Sequence, residues 1–362
     1  MLDTMIGPAR RRGRGVALNP AGRYERFQRI AAEDGWPGTT DDDVRPFRTE
    51  VSIDASRTVL TRNKSPDVPF DRSVNPYRGC EHGCVYCFAR PSHAHLGLSP
   101  GLDFETRLFV KPRAPALLAA ALRKAGYRVA PIAIGTNTDP YQPIERDHRV
   151  MRGVLGVLEA FGHPVCITTK GAAVVDDLEI LGRMGRRGLA QVTLSLTTLD
   201  SRLSRSLEPR AAAPGRRLAA IRALSRAGVP VAVNLAPIIP GLTDHEIETL
   251  ARAAVEAGAT ALSHTLLRLP LEVADLFKDW LARERPQAAA KIMARVRDTH
   301  GGRDYDSTWE TRLRGQGVHA ALIARRIDLV RQRYGLARRL APLRTDLFSP
   351  PLRPGDQLSL DL

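Results

Sequence analysis

Between residues 129 and 267 the chain alternates short apolar runs with amphipathic stretches at a regular period. Gly162, Gly188, Gly228 and Gly258 each precede one of the apolar runs. The runs predict the strands VAPIAIG, PVCITTK, AQVTLSL, PVAVNLAP and ATALSHTLL, which begin at residues 129, 164, 190, 230 and 259. The stretches between them predict helices near residues 145–161, 175–187, 216–227 and 244–257. Repeated strand–helix–strand units imply right-handed crossovers and a parallel sheet.

With one further strand before these, about six units fit the pattern. We therefore predict an α/β fold with a partial (βα)6 TIM-type barrel over residues 74–300, whose chemistry lies at the carboxyl ends of its strands. Residues 1–73 are rich in Arg, Gly, Pro and Asp and are predicted to form a basic, partly disordered extension. Residues 301–362 are predicted to hold one helix, near Val318–Tyr334, and a proline-rich tail.

The formal net charge of +15 suggests nucleic acid as a candidate partner. All but six of the 54 basic residues are Arg, and they are spread along the chain. The dense basic run is RRRGR, at Arg10–Arg14, so an ordinary solvated basic surface explains the charge equally well. No stretch is apolar enough to span a membrane, and no apolar segment follows the first arginines. We expect a cytoplasmic protein.

Three of the four cysteines lie in the stretch NPYRGCEHGCVYC with the spacing C-x3-C-x2-C, at Cys80, Cys84 and Cys87. A disulfide, a zinc site and an iron–sulfur cluster are the alternatives. A reducing compartment disfavours the disulfide. Structural zinc sites usually draw on a second ligand pair, and no second CxxC or HxxxH is present. The candidates for a fourth zinc ligand are His82, His93 and His95. Three thiolates without a fourth partner suit a [4Fe–4S] cluster with one open iron.

This motif, with an aromatic residue before its third cysteine and a barrel behind it, resembles the radical S-adenosylmethionine (SAM) superfamily over about residues 75–270. The chain resembles the branch related to spore photoproduct lyase in three further segments, TNTDPYQPIE, TTKG and APIIPGLTD. The resemblance implies that Cys80, Cys84 and Cys87 ligate three irons of a [4Fe–4S] cluster, and that SAM chelates the fourth. One electron would then cleave the C5′–S bond of SAM, and the resulting 5′-deoxyadenosyl radical would abstract hydrogen from the substrate.

The resemblance also implies partners. An electron donor of the flavodoxin or ferredoxin class would reduce the cluster, and a nucleic acid or nucleotide is favoured as the substrate. The alternative from a different functional class is a non-catalytic nucleic-acid-binding protein with a structural metal site. Its support is the +15 charge, the basic run near the N-terminus and the Arg-rich helix near residues 325–339.

The resemblance also implies which residues contact SAM. Lys170, at a predicted strand end, matches a cation near the SAM carboxylate, and Ser195 matches a serine that hydrogen-bonds SAM. The superfamily's usual glycine-glycine-glutamate run is absent, and GTNTDPYQP stands in its place. Thr138 and Asp139 are therefore predicted to contact the SAM amino group, although an Asp-Pro turn explains them too. Asn234 could face the ribose.

Other residues near the predicted site have separate predicted roles. Tyr86, beside the last cysteine, is predicted to shield the cofactor. Glu208 and Arg210 are predicted to line the substrate mouth, with a mutual surface ion pair as the alternative. Cys166 is predicted to be a buried core cysteine. Strand alternation puts it on the same face as Lys170, and a rise of roughly 3.3 Å per residue puts it about 13 Å deeper in the barrel. Spore photoproduct lyase is thought to use a cysteine as its hydrogen donor, and Cys166 lies in a different strand position from that donor.

Overall fold

The computed structural model describes residue 6, residues 11–25 and residues 46–352. The strands in these residues are β1 (Glu50–Ile53), β2 (Leu60–Arg62), β3 (Arg72–Val74), β4 (Tyr77–Arg78), β5 (Arg107–Val110), β6 (Ile132–Ile134), β7 (Val165–Thr169), β8 (Ala190–Leu196), β9 (Val231–Ile238) and β10 (Ala261–Leu266). The α-helices are α1 (Asp103–Thr106), α2 (Ala114–Leu122), α3 (Glu145–His148), α4 (Val150–Ala160), α5 (Leu178–Arg186), α6 (Ser201–Leu207), α7 (Pro214–Arg226), α8 (Ile247–Glu256), α9 (Val273–Glu284), α10 (Ala289–Asp298) and α11 (Gly317–Tyr334).

The main sheet has seven strands in the order β10-β9-β8-β7-β6-β3-β2. The six strands from β3 to β10 run parallel, and β2 joins the β3 edge antiparallel. In the part of the chain that the structure describes, β2 and β10 do not pair, so the sheet remains open. The prediction of a partial (βα)6 barrel is confirmed, with a short antiparallel strand added at one edge.

Along each barrel strand, alternate side chains face the outer core and the barrel interior. In β7, Val165 and Ile167 are buried in the large core with Leu158 from α4, whereas Cys166 and Thr168 on the opposite face are half-buried. Successive strand residues point to opposite faces, so this pattern follows directly from the sequence VCITT. Cys166 and Thr168 therefore point into the barrel.

The N-terminal region, predicted as a basic extension, contributes two strands and several buried residues to the fold. β1 pairs parallel with β5 in a small sheet of order β1-β5-β4, and β2 extends the main sheet. Val16 and Ala17 are buried, and so is Arg14 from the basic run. Residues 26–45 lie outside the described residues, and so does Arg10. The predicted partial disorder of residues 1–73 stays a prediction.

A second core lies beside the cysteine motif. It joins Val16, Val85 and Tyr86 to apolar residues of α6, α9 and α10, with Phe277 and Trp280 stacked at its centre, their ring centroids 5.7 Å apart. The helices α9 and α10 were not predicted from the sequence. The predicted C-terminal helix is confirmed as α11, and Ala337 beyond it bridges to Ala261 at the β10 edge. No helix among the described residues is long and apolar enough to cross a membrane.

Two helix glycines should respond in opposite ways to the same substitution. A β-carbon at Gly156 in α4 meets nothing within 4 Å, so Gly156→Ala should raise the free energy of unfolding by about 1 kcal/mol through helix propensity. A β-carbon at Gly185 in α5 would lie 2.9 Å from the Gly228 carbonyl oxygen, so Gly185→Ala should lower it by about 1–3 kcal/mol. Urea unfolding followed by circular dichroism measures both, and equal effects would refute the close packing of α5.

Candidate active site

The cysteine motif forms a loop that follows β4 and requires two of its glycines. Gly79 and Gly83 have φ angles of 74° and 66°, in the left-handed region that favours glycine. A β-carbon on Gly79 would lie 2.9 Å from the Phe104 carbonyl oxygen, and one on Gly83 would lie 2.6 Å from a Glu105 carboxylate oxygen. The loop is thus pressed against α1, and glycine is needed at both positions.

A buried ion pair anchors the loop from behind. Arg90 and Glu105 are both fully buried, and the Arg90 Nη2 lies 2.5 Å from Glu105 Oε1. Arg90 also donates to the carbonyl oxygen of Cys84 at 3.0 Å, while Glu105 accepts from the backbone N–H of Gly15 at 2.8 Å. The pair therefore ties the loop to the N-terminal segment. Neither residue was identified from the sequence. In the case of Arg90, nothing in CFARPSH distinguishes a buried arginine from an exposed one.

A second motif, TNTDPYQPIE, is bonded to the cysteine motif along its length. The Asn75 side chain accepts from the Asn137 N–H at 3.0 Å, and Thr138 Oγ1 donates to the Gly79 carbonyl oxygen at 2.6 Å. Gln142 Oε1 accepts from the backbone N–H of Glu81 at 2.8 Å. Thr138 therefore lies under the cysteine loop with its hydroxyl engaged by the protein.

Asp139 connects the loop to the carboxyl end of β7. Its carboxylate accepts from the Thr169 hydroxyl at 2.6 Å and from the Lys170 N–H at 2.7 Å, and it lies 3.4 Å from His82 Nδ1. Burial alone would raise the pKa of Asp139, but His82 and these hydrogen bonds lower it well below its ordinary value. Its predicted contact with SAM stays a prediction. Its contacts in the structure position the loop and the Lys170 backbone.

The thiols themselves are free. None of the four cysteines forms a disulfide. Cys80 and Cys84 are buried, and burial raises the pKa of both thiols. In the described ranges, no three His, Cys, Asp or Glu side chains group to hold a single metal ion. A cluster differs from such a site, because each thiolate bonds a different iron.

The histidines considered as a fourth zinc ligand have other partners. His82 contacts Asp139, and His93 Nε2 lies 2.9 Å from the Arg107 carbonyl oxygen. The exposed His95 ring packs at 5.1 Å from the Tyr24 ring. The zinc alternative therefore finds no fourth ligand in these residues.

Lys170 and Tyr86 meet beside Cys84 at the mouth of the barrel. The Lys170 ammonium lies 5.7 Å from the Tyr86 ring centre. Burial lowers the pKa of Lys170, but Coulombic interaction with the thiolate form of Cys84 and with the Glu208 carboxylate outweighs burial and raises it overall. The Tyr86 hydroxyl donates to Glu208, which also accepts from the Thr197 hydroxyl at 2.7 Å. Lys170 is therefore held as a cation next to a predicted cluster ligand.

Glu208 and Arg210 do not pair with each other, so the alternative of a mutual surface ion pair is wrong, and their place at the substrate mouth stays a prediction. Glu208 is 1% exposed and forms a buried ion pair with Arg217 of α7. Burial raises the pKa of Glu208, but Arg217 and Lys170 lower it overall. Arg210 instead lies 3.0 Å from Glu81. The sequence spacing could not reveal this, because Arg217 comes from the next helix and Glu81 from the cysteine loop.

Ser195 and Asn234 lie side by side across neighbouring strands. The register pairs Ser195 of β8 with Asn234 of β9, and Asn234 with Ser263 of β10. The buried Asn234 Oδ1 has no hydrogen-bond partner in the part of the chain that the structure describes. A buried acceptor without a partner costs about 1–3 kcal/mol, so its retention here fits a ligand that donates to it.

Cys166 differs from its prediction as a buried core cysteine. It is half-buried on the face of β7 that points into the barrel, and Gln191 Nε2 of β8 donates to its sulfur at 3.0 Å. The alternation of VCITT already placed it on the Lys170 face. The error was to assume that the interior at this depth is filled by apolar side chains.

Arg268 is a further cation at the mouth that the sequence did not single out. It follows β10, and its guanidinium lies 4.0 Å from the centre of the half-exposed Phe88 ring, next to Cys87. Burial lowers the pKa of Arg268. No carboxylate of the described residues lies within ion-pair distance of it. Only its place after the last barrel strand could have signalled it.

The comparisons with known proteins agree with this arrangement. A model of the radical SAM superfamily matches residues 74–254, half of the chain. The uncharacterized protein Rv2578c of Mycobacterium tuberculosis is 39% identical over 234 residues, which cover 63% of this chain and 69% of the relative. The uncharacterized protein MJ0683 of Methanocaldococcus jannaschii is 25% identical over 173 residues, covering 48% and 62%. This chain belongs to the radical SAM superfamily and is a radical SAM enzyme.

A solved structure shows where the fold lies within that class. A mutant of spore photoproduct lyase superposes with a TM-score of 0.52 at 15% sequence identity, covering 78% of this chain and 77% of the lyase. At this identity the likeness concerns the fold. The chain therefore shares the open-barrel fold of the spore photoproduct lyase branch.

The residues present fit the two cofactors that the superfamily implies. Three free thiols in one glycine-bearing loop are suitable ligands for an iron–sulfur cluster. The cation of Lys170 and the partnerless Asn234 Oδ1 are suited to the carboxylate and hydroxyl groups of SAM. We therefore treat this mouth as the candidate site for both.

The contact between the two motifs predicts a pH-dependent stability. Burial raises the pKa of Glu145 to about 7 from 4.5, despite hydrogen bonds from the Tyr77 hydroxyl and the Met151 N–H. Between pH 4.5 and 7 the unfolded chain therefore binds fewer protons, and stability falls as pH rises. Relative to Glu145→Gln, the wild type should lose on the order of 1–3 kcal/mol between pH 4.5 and 8 in urea unfolding. Exposed Glu179→Gln is the control, and a pH-independent difference for Glu145→Gln would contradict the assignment.

Proposed function

We propose that the chain binds a [4Fe–4S] cluster through Cys80, Cys84 and Cys87 and cleaves SAM reductively. The observation that carries this proposal is the position of Cys84, buried beside Lys170 and Tyr86 at the carboxyl end of β7. Bound there, the cluster and SAM would supply one-electron cleavage of the C5′–S bond and a 5′-deoxyadenosyl radical for hydrogen abstraction.

The chain's own residues would orient SAM and exclude water. Lys170 would pair with the SAM carboxylate, because its raised pKa keeps it charged in a buried setting. Ser195 and Asn234 would hydrogen-bond SAM from β8 and β9, with Asn234 placed for the ribose. Tyr86, fixed by Glu208, would cover the inner side of the loop. Thr138 and Asp139 would hold the loop over this pocket and bring a carboxylate near the SAM amino group.

We propose a nucleic acid or nucleotide as the substrate. Support comes from the net charge of +15 and from Arg268, a half-buried cation at the mouth that stacks on Phe88. An arginine beside an exposed aromatic ring is a suitable pair for a phosphate and a base. A small reductant protein of the flavodoxin or ferredoxin class would supply the electron.

Cleavage of SAM is the direct test of this function. After anaerobic reconstitution with iron and sulfide and reduction by dithionite, the wild type should convert SAM to 5′-deoxyadenosine and methionine, measured by liquid chromatography. Cys80→Ala should lose the cluster and at least about 100-fold of this activity, since a thiolate ligand is removed. Cys166→Ala is the matched control, because Cys166 lies on a barrel strand away from the loop, and it should retain full iron content.

Two outcomes would contradict the proposal. A fully loaded wild-type cluster that leaves SAM intact would remove the enzymatic claim. Cys80→Ala with unchanged iron content would remove the ligand assignment and leave the activity to be explained by other residues.

Asn234→Leu should separate stability from binding. The substitution removes the partnerless buried Oδ1, so the ligand-free protein should gain about 1–3 kcal/mol in urea unfolding. SAM should bind about tenfold more weakly in equilibrium dialysis, because one hydrogen bond is lost. Ser263→Ala is the control, because it makes a small change at the β10 residue that pairs with Asn234. Unchanged SAM affinity in Asn234→Leu would show that this amide serves another ligand.

A further inference from the structure

A cationic groove of about 690 Å³ lies beside the cysteine loop. The N-terminal segment, α6 and the end of α9 form its walls. Its arginines are Arg11, Arg12, Arg14, Arg202, Arg205 and Arg283. Six guanidinium groups around one groove produce a strongly positive local potential, and opposite charges on a partner would be attracted to it.

Several of these arginines have no acidic partner within the described residues. Arg12, Arg202 and Arg205 are exposed, and no carboxylate of those residues lies within ion-pair distance of them. Arg11 carries a buried Nε without a hydrogen-bond partner among those residues; burial and Arg283 lower its pKa, and the nearby carboxylates of Asp279 and Glu284 only partly offset them. These four side chains therefore offer positive charge and donors to an external ligand.

The other charges in the groove are already compensated. Arg283 pairs with Asp279 at 2.9 Å, and Arg14 donates to the Glu105 carbonyl oxygen at 2.9 Å and lies near Glu81. Of the lining acids, Glu208 is buried against Arg217. Glu284 is an exposed carboxylate that accepts from the Ser206 hydroxyl at 3.1 Å. The net field of the groove remains positive.

The floor of the groove touches the cysteine loop from outside the barrel. A β-carbon on Gly15 would lie 1.9 Å from the Gly83 carbonyl oxygen, and Pro209 packs on Gly83 from the other wall. Gly83 immediately precedes Cys84. Lys170 and Arg268 of the barrel mouth do not line this groove, whereas the buried Glu208, which binds Tyr86, does. The loop therefore has one face towards the barrel and a separate face towards the groove.

We propose that this groove is the docking site of an acidic one-electron carrier, a protein of the flavodoxin or ferredoxin class. This inference rests on the proposed function, because it requires a cluster in the loop. The carrier would be oxidised by one electron and the cluster reduced by one, with no bond made or broken. Small, charge-complementary interfaces are typical of such transient electron-transfer complexes. Nucleic acid is disfavoured as the occupant because a substrate must reach the barrel mouth instead.

Charge reversal tests the docking site. Reconstituted holoenzyme is titrated with a fluorescently labelled, oxidised flavodoxin in an anisotropy assay at low and high salt. The variant Arg202→Glu/Arg205→Glu should weaken binding at low salt at least about tenfold and reduce its salt dependence. Arg325→Glu/Arg339→Glu is the matched control. It makes the same charge change at exposed positions on and after α11, and should bind like the wild type.

Electron delivery provides the second readout. The groove variant should lose at least about tenfold in 5′-deoxyadenosine formation when reduced flavodoxin is the donor, and nothing when dithionite is the donor. Equal flavodoxin affinity in the groove variant and the control variant would overturn the proposal. Loss of affinity for a labelled single-stranded DNA 20-mer, with flavodoxin affinity retained, would also overturn it and assign the groove to nucleic acid.

Failure of the docking site and failure of the proposed function are distinguishable. If wild-type holoenzyme gives no 5′-deoxyadenosine even with dithionite, the enzymatic proposal fails while the anisotropy titration still reports on the groove. If dithionite drives cleavage and the groove variant still accepts electrons from flavodoxin at the wild-type rate, only the docking proposal fails.

Discussion

The buried ion pair between Arg90 and Glu105 is the interaction on which the candidate site depends. Each partner is fully buried, and each also binds backbone groups, Arg90 at Cys84 and Glu105 at Gly15 and Val16. Removing one partner of such a pair typically costs about 3–5 kcal/mol, because the other charge stays buried without compensation. The position of the cysteine loop and of the segment that covers it is therefore set by the same two side chains.

The loop separates two chemical environments. On its inner side lie a cation, an aromatic ring and a row of polar strand residues that includes Asn234, all directed into an open barrel. On its outer side Gly15 packs against Gly83 at the floor of an arginine-lined groove. A reaction that takes an electron from one partner and a hydrogen atom from another benefits from this division, because the two partners do not compete for one surface.

The sequence predicted the barrel well, because strands such as VCITT and helices such as α8 have strong local periodicity. It predicted the cysteine loop from spacing alone. It could not predict that Glu208 pairs with Arg217, or that Arg90 is buried, since these contacts depend on elements distant in the chain. Residues 11–25 have little apolar periodicity, yet Val16 is fully buried. Their order comes from tertiary contacts with the loop, which no local pattern records.

The open barrel leaves β10 as an edge strand, and the bridge from Ala337 to Ala261 covers it. The Ala337 N–H donates to the Thr260 carbonyl oxygen, and the Leu262 N–H donates back to Ala337. An exposed edge is a template for pairing with another chain, which is a common start of aggregation. The segment after α11 therefore occupies the start of this edge and leaves fewer backbone groups of β10 free to pair with another chain.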